Sequence, residues 1–335
     1  MEFNFFPPNL DYNNYCSREF TTIFLVLAAV SIAVPFIPLL QDLLCHGKRQ
    51  KVKEVSDDQG SATLKMIPVK AVLLAVPKSF FTHMYIVGSI VGGYCCFYAC
   101  SLFASSPTIL AGSVAVQGTI MFEIHCLRRL FECIYITEYG TSSMDVSAYV
   151  VGIYHYLVTP TCIMCSLLHT DTKMSGGEDQ PYQIYVRLLS FSLYCIGNIS
   201  QNQCHRILYQ LKKRKQASAI GTVLNRDNND INGGNSSNSS GQINNLQKSL
   251  NSNGYSFPTG FGFNYVACPH YTAEILIYTS FNLLSPSSLP LYSMTVWVIS
   301  NLCVVADTQF EWYKKYFPEE TKKRKNWKRI FPTIW

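Results

Sequence analysis

At 335 residues, with 48% hydrophobic, 13% aromatic and 14% charged side chains, the chain has the balance of a membrane protein rather than of a globular enzyme. Its formal net charge of +6 sits in short Lys/Arg clusters bordering apolar runs, with no interleaved aromatics of the kind that stack bases, which excludes nucleic acid as a partner and makes topology the better explanation. No GxGxxG follows a strand pattern, so a Rossmann cofactor domain is excluded as well.

Residues 1–19 are polar and aromatic and lack a basic n-region, and no small-residue cleavage site trails the next apolar run, so they are read as a lumenal N-terminus before an uncleaved first span. That span runs from about Phe20 to Leu44 and is closed by the basic run His46 to Lys53. Met66 to Val76 is apolar but far short of the ~20 residues a bilayer needs, and suits an interfacial helix. The second span covers about Phe80 to Ala104, and the third begins at Pro107 and ends in EIHCLRRLFEC, Glu123 to Cys133. The fourth covers about Val146 to Leu168, with Cys162 and Cys165 as an unaccompanied CxxC that does not make a metal site.

The fifth span, about Tyr182 to Leu211, turns polar in its second half. Asn198, Ser200, Gln201, Asn202, Gln203, His205 and Arg206 must face protein, water or ligand rather than lipid. An Asn/Ser/Gly tract then fills 216–256, read as a disordered cytosolic insertion because it cannot bury enough apolar surface to offset its chain entropy; it holds sequons at Asn235 and Asn238. Residues 257–335 hold a sixth span, about Tyr271 to Leu284, a seventh, about Leu289 to Val305, and a basic tail.

The expected fold is therefore an all-α membrane protein of about seven transmembrane helices. With the basic run after span one on the cytosolic side, alternation places Arg128 and Arg129, Lys212 to Lys215, Lys322 to Arg329 and the C-terminus there too, in agreement with the positive-inside rule. His125 with its two Arg neighbours, the polar end of span five, the Phe257 to Glu274 stretch and Asp307 to Tyr313 then share one end. A cytosol-facing cavity that collects them suits a soluble anionic cofactor, while the spans below suit a lipid-soluble substrate.

Four segments resemble the steroid 5α-reductase family, and within it the polyprenol reductase branch. They are VPKSFFTHMYIVG in span two, HCLRRLFEC at His125 to Cys133, QNQCHRIL at Gln201 to Leu208, and FNYVACPHYTAEILIY at Phe263 to Tyr278. The resemblance covers about two thirds of the chain, from the Val76 region to the C-terminus without the Asn/Ser tract. It implies a seven-helix reductase of the endoplasmic reticulum membrane that uses NADPH to saturate the α-isoprene double bond of a polyisoprenoid lipid, for dolichol synthesis and protein N-glycosylation. It also implies cofactor contacts at Arg129, His205, Tyr265, His270, Glu274 and Tyr313, with Gln201 and Gln203 where steroid-reducing relatives carry Asn and His. Two positions depart from the family: Cys126 stands where steroid reductases carry a catalytic Tyr, and TQFEWY replaces a His-rich element before the last aromatic pair.

Hydride adds readily to an alkene β-carbon only where a neighbouring carbonyl can take the electrons, so the direct substrate is expected to be the aldehyde polyprenal rather than the alcohol. The carbonyl oxygen needs a donor and the α-carbon a proton. His83, Tyr85, Glu123 and His125 are the candidates, with Tyr85 and His83 preferred. The competing readings are steroid or enoyl-thioester reduction in the same family, an isoprenylcysteine-type methyltransferase, and a non-enzymatic seven-span receptor or carrier.

Overall fold

The computed structural model describes residues 12–33, 75–104, 112–140, 142–174, 181–231 and 256–332. Among these the chain is mostly helical, with seven long helices: α1 (Tyr12–Ala33), α2 (Phe81–Phe103), α3 (Val114–Tyr135), α4 (Val146–Met174), α5 (Pro181–Ile231), α6 (Pro269–Leu284) and α7 (Leu289–Tyr316), followed by the short α8 (Pro318–Lys323). Three of them, α2 with its leading 3₁₀ turn, α4 and α7, are long and apolar enough to cross a membrane. The remaining helices each fall short for a visible reason. α3 and α5 carry ionisable side chains, α6 at 16 residues spans only ~24 Å of a ~30 Å hydrocarbon core, and the apolar run of α1 passes beyond Ala33 into residues outside those described.

Two short strands set the direction of the helices. β1 (Ala75–Pro77) pairs antiparallel with β2 (Ser143–Asp145), so the starts of α2 and α4 lie at one end, here the proximal end, with the close of α3 a few residues away. At the distal end Asp171, near the close of α4, accepts from the backbone N–H of Val114 (2.9 Å) and Ala115 (3.1 Å) and from Ser113 Oγ, satisfying the orphan donors that begin α3. Arg187, in the first turns of α5, donates there to Gly112 O and Gln117 Oε1, both at 2.8 Å, and Thr170 meets Ser285 of the α6–α7 turn at 2.6 Å. From α2 to α7 the helices thus run alternately up and down. Phe24, Met121, Phe122, Ile163, Leu167, Phe281, Leu291 and Met294 fill the core, while Ile90, Phe97, Phe131, Leu188 and Ile199 point outward, a surface suited to lipid.

Four boundaries differ from the sequence expectation. α1 begins at Tyr12, inside the stretch read as an N-terminal segment; α4 continues past Leu168 to Met174; α7 continues past Val305 to Tyr316; and α5 continues past Lys215 to Ile231, into the tract read as disordered. Residues 216–224 contain no Pro and several good helix formers, and an existing helix extends at one hydrogen bond per residue. The close of span one, Met66 to Leu74 and the two sequons lie outside the described residues.

α5 and α6 approach closely at Gly197. A Cβ there would lie 2.9 Å from the backbone oxygen of Ala273 and 2.7 Å from Ile277 Cγ1, so the helices would have to separate. Gly197→Ala is expected to lose about 1–3 kcal/mol through overpacking, which would lower the apparent Tm of detergent-solubilised protein.

Candidate functional site

Helical periodicity on two elements creates the site. His125, Arg128, Arg129 and Glu132 fall at i, i+3, i+4 and i+7 of α3, and Asn198, Gln201, Asn202 and His205 repeat that spacing on α5, so each set forms one face. The two faces meet each other and the first turns of α6. Gln203, two residues from Gln201, is turned outward and exposed.

At the centre lies Glu132, 0% exposed. Its Oε1 takes the Arg128 guanidinium and Asn202 Nδ2 (2.6 Å), while Oε2 takes the Arg129 guanidinium and lies 2.7 Å from His205 Nδ1. The two arginines carry the network outward in different directions. Arg128 donates from Nε to Asn198 Oδ1 at 2.8 Å and from Nη2 to Gln201 Oε1, and Gln201 Nε2 donates in turn to Glu274 of α6. Arg129 donates from Nε (3.1 Å) and Nη2 (3.0 Å) to Tyr85 Oη, and its guanidinium carbon lies 4.9 Å from the centre of the Tyr85 ring. His125, 1% exposed, is 3.2 Å from Asn198 Oδ1 and 3.7 Å from Glu274.

This network forms one wall of a cavity of about 500 Å³ to which all seven long helices contribute. Arg129, Gln201, His205, His270 and Glu274 line its polar side, and Leu27, Val30, Met84, Val151, Val298 and Leu302 line much of the rest. Two turns inward along α6 from His270, ~12 Å by helical rise, Tyr278 joins Tyr156, His155 and Trp297 in an aromatic floor. An apolar chamber with a few convergent polar groups is the usual form of a small-molecule or lipid site.

The structure brings together seven of the residues expected from sequence: Tyr85, His125, Arg129, Gln201, His205, His270 and Glu274. It leaves five apart. His83 is exposed and bonds Tyr149 Oη at 3.1 Å, because it lies two residues from Tyr85 and faces the other way. Glu123 packs against Gly92 of α2, more than two turns before Glu132 on α3. Gln203 faces outward and Tyr265 is 68% exposed. Tyr313 is buried among Phe257, Phe317 and Trp327, behind the start of α6.

That aromatic cluster has its own role. The C-terminal residues pin the loop leading into α6, with Ala267 N–H donating to Lys328 O (2.8 Å), Cys268 N–H to Arg329 O (2.9 Å), and Trp327 Nε1 to Phe263 O (2.9 Å). Asp307, expected at the cavity, instead pairs with Arg329 at 2.6 Å. Sequence reasoning missed Glu132 as a site residue, although its i,i+4 spacing from Arg128 is legible. It also missed the floor, whose members come from three helices with nothing in their local sequence to link them. Among the described residues no group of His, Cys, Asp or Glu converges as a metal site.

Residues 234–335 match the family described as 3-oxo-5-alpha-steroid 4-dehydrogenase. Three curated relatives are each named polyprenal reductase. The Caenorhabditis elegans protein is 27% identical over 75% of this chain and 78% of its own. The Saccharomyces cerevisiae protein is 27% identical over 92% of both chains, and the human protein 23% identical over 87% of this chain and 86% of its own.

Glu132→Gln leaves two guanidinium groups without their counter-charge in a buried setting. Loss of one partner of such a cluster costs about 3–5 kcal/mol, so the variant is expected to unfold at clearly lower temperature in detergent, whereas Gln203→Ala on the outward face of α5 should leave the melting curve unchanged.

Proposed function

We propose that this chain, which carries a 3-oxo-5-alpha-steroid 4-dehydrogenase domain in its C-terminal third, is a seven-span reductase that saturates the α-isoprene double bond of polyprenal with NADPH. It is an oxidoreductase acting on a C=C bond, it serves dolichol synthesis and thereby protein N-glycosylation, and it works in the endoplasmic reticulum membrane with its C-terminus in the cytosol. The observation that carries the reading is the single cavity with a guanidinium–carboxylate network on one side and apolar lining on another, the two chemistries that a dinucleotide and an isoprenoid require.

The residues present fit the nicotinamide end of such a cofactor. Glu274, Gln201, His205 and His270 offer the mixture of acceptors and donors that a carboxamide and ribose hydroxyls need. Leu208 lines the cavity, and the exposed cation Lys212, four residues further along the same face of α5, suits a phosphate. When bound, NADPH supplies the hydride. The chain's residues do the rest: Arg129 holds Tyr85 with its hydroxyl proton directed away from the guanidinium, ready for the substrate α-carbon, and the apolar lining excludes water from the reacting bond. Cys126, buried on α3 three residues before Arg129 where a steroid reductase carries Tyr, supports the isoprenoid over the steroid substrate.

The aldehyde is favoured over the alcohol because only its carbonyl can accept the electrons displaced by hydride. Purified protein with NADPH is expected to reduce polyprenal and to leave polyprenol unchanged; turnover of the alcohol without aldehyde formation would overturn this. His270→Ala and Glu274→Gln are each expected to lower kcat/KM for NADPH about 10- to 100-fold, as the loss of a charged hydrogen bond of about 1.5–3 kcal/mol requires, with the protein still folded in the membrane.

A further inference from the structure

Each long helix gives the cavity at least one side chain, but its floor contains a relay that neither the cofactor end nor Tyr85 uses. His155 of α4 sits between Trp297 of α7 and Tyr278 of α6. Trp297 Nε1 lies 3.1 Å from His155 Nδ1, and His155 Nε2 lies 2.8 Å from Tyr278 Oη. Thr159 Oγ1, one turn further along α4, is 3.2 Å from the same Nδ1.

The chemistry of these groups fixes the direction of the relay. An indole N–H can only donate, so Nδ1 of His155 must be the bare, accepting nitrogen. The neutral imidazole therefore carries its proton on Nε2 and donates it to the tyrosine oxygen. With that lone pair engaged, the Tyr278 hydroxyl proton points elsewhere, and no second partner for it exists among the described residues. Tyr278 is 1% exposed, yet it lines the cavity, so the free direction is into the cavity. Evolving a Trp–His–Tyr chain from three helices merely to bury a phenol would be superfluous, because a Phe of the same shape needs no partner at all.

We propose that Tyr278 is a catalytic residue that donates its hydroxyl hydrogen bond to the carbonyl oxygen of the substrate, and that His155 and Trp297 are its positioning residues. The inference rests on the reduction of an unsaturated aldehyde argued above. Glu274 and Tyr278 are one turn apart on α6, so an aldehyde whose oxygen meets Tyr278 can turn its double bond toward the cofactor end. Hydride from the reduced nicotinamide dinucleotide forms the new C–H bond at the β-carbon. The alkene π pair moves to join the α-carbon and carbonyl carbon, and the carbonyl π pair moves onto oxygen, where the Tyr278 O–H bond stabilises the negative charge. The oxygen pair then returns to remake C=O as the α-carbon takes the Tyr85 proton, which solvent replaces. One hydride and one proton are consumed, and Tyr278 keeps its own proton throughout.

The test compares wild type with Tyr278→Phe, His155→Leu and the double variant in NADPH-dependent reduction of polyprenal. Tyr278→Phe is expected to lower kcat about 10²- to 10³-fold, the usual effect of deleting one oxyanion donor, while KM for NADPH stays near wild type and the melting temperature falls modestly because His155 loses its acceptor. Because His155 acts through Tyr278, adding His155→Leu to Tyr278→Phe is expected to cost nothing further, whereas His155→Leu alone lowers kcat and His155→Gln, which retains a donor, recovers part of it. A second readout needs neither cofactor nor turnover: the infrared carbonyl band of bound citronellal, a short analogue of the product in which only the α-isoprene unit is saturated, should lie at lower frequency in wild type than in Tyr278→Phe. Near-wild-type kcat in Tyr278→Phe, multiplying penalties in the double variant, or the same carbonyl band in both proteins would each overturn the assignment. Failure of wild type itself to reduce polyprenal would instead overturn the reaction on which the assignment rests.

Discussion

One buried carboxylate holds the site together. Glu132 would be costly to bury alone, and so would Arg128 and Arg129. Together they form a cluster in which each charge compensates another and the remaining donors find Asn202, Asn198, Gln201 and Tyr85. Three helices are thereby fixed in register at the level where polar groups would otherwise face lipid. The rest of the arrangement depends on this: Tyr85 is aimed by Arg129, and Glu274 is tied through Gln201 to Arg128.

Around that centre the molecule separates two environments within one cavity. The wall near His205 and His270 is rich in donors and acceptors, and the sides formed by α1, α2, α4 and α7 are largely aliphatic. A lipid aldehyde has the same division, with one polar atom pair at the end of a long apolar chain. The two tyrosines then have different settings. Tyr85 receives two bonds from a cation that would stabilise its phenolate as the proton leaves, and Tyr278 receives one from a neutral imidazole that leaves it a donor. The C-terminal segment contributes at a distance: its backbone and Trp327 hold the loop that starts α6, and so hold His270 and Glu274 in place.

Much of this was legible in the sequence. Apolar runs located the helices, and ionisable residues inside them marked the helix faces that meet at the cavity, because such residues persist in spans only where something requires them. Helical phase explains two of the five exceptions. Gln203 and His83 lie two residues from true wall residues and so face the other way, and sequence proximity alone cannot reveal that without the phase being worked through. Tyr313 and Tyr265 went elsewhere because the C-terminal residues fold back on the α6 loop, a contact between segments about 60 residues apart. His155, Tyr278 and Trp297 were unreadable for a different reason. Each is an ordinary amphipathic residue in an ordinary apolar helix, and only the packing of α4, α6 and α7 shows that they address one another. The continuation of α5 past Lys215 reflects helix propagation winning over local composition.

The chemistry proposed for the cavity is hydride transfer to the β-carbon of an unsaturated lipid aldehyde. The most direct measurement uses NADPH carrying deuterium at the transferable position of the nicotinamide, with polyprenal as substrate, and locates the label in the product by mass spectrometry and NMR. One deuterium is expected at the β-carbon, with the aldehyde retained. Deuterium at the carbonyl carbon, marking formation of an alcohol with the double bond intact, would contradict it.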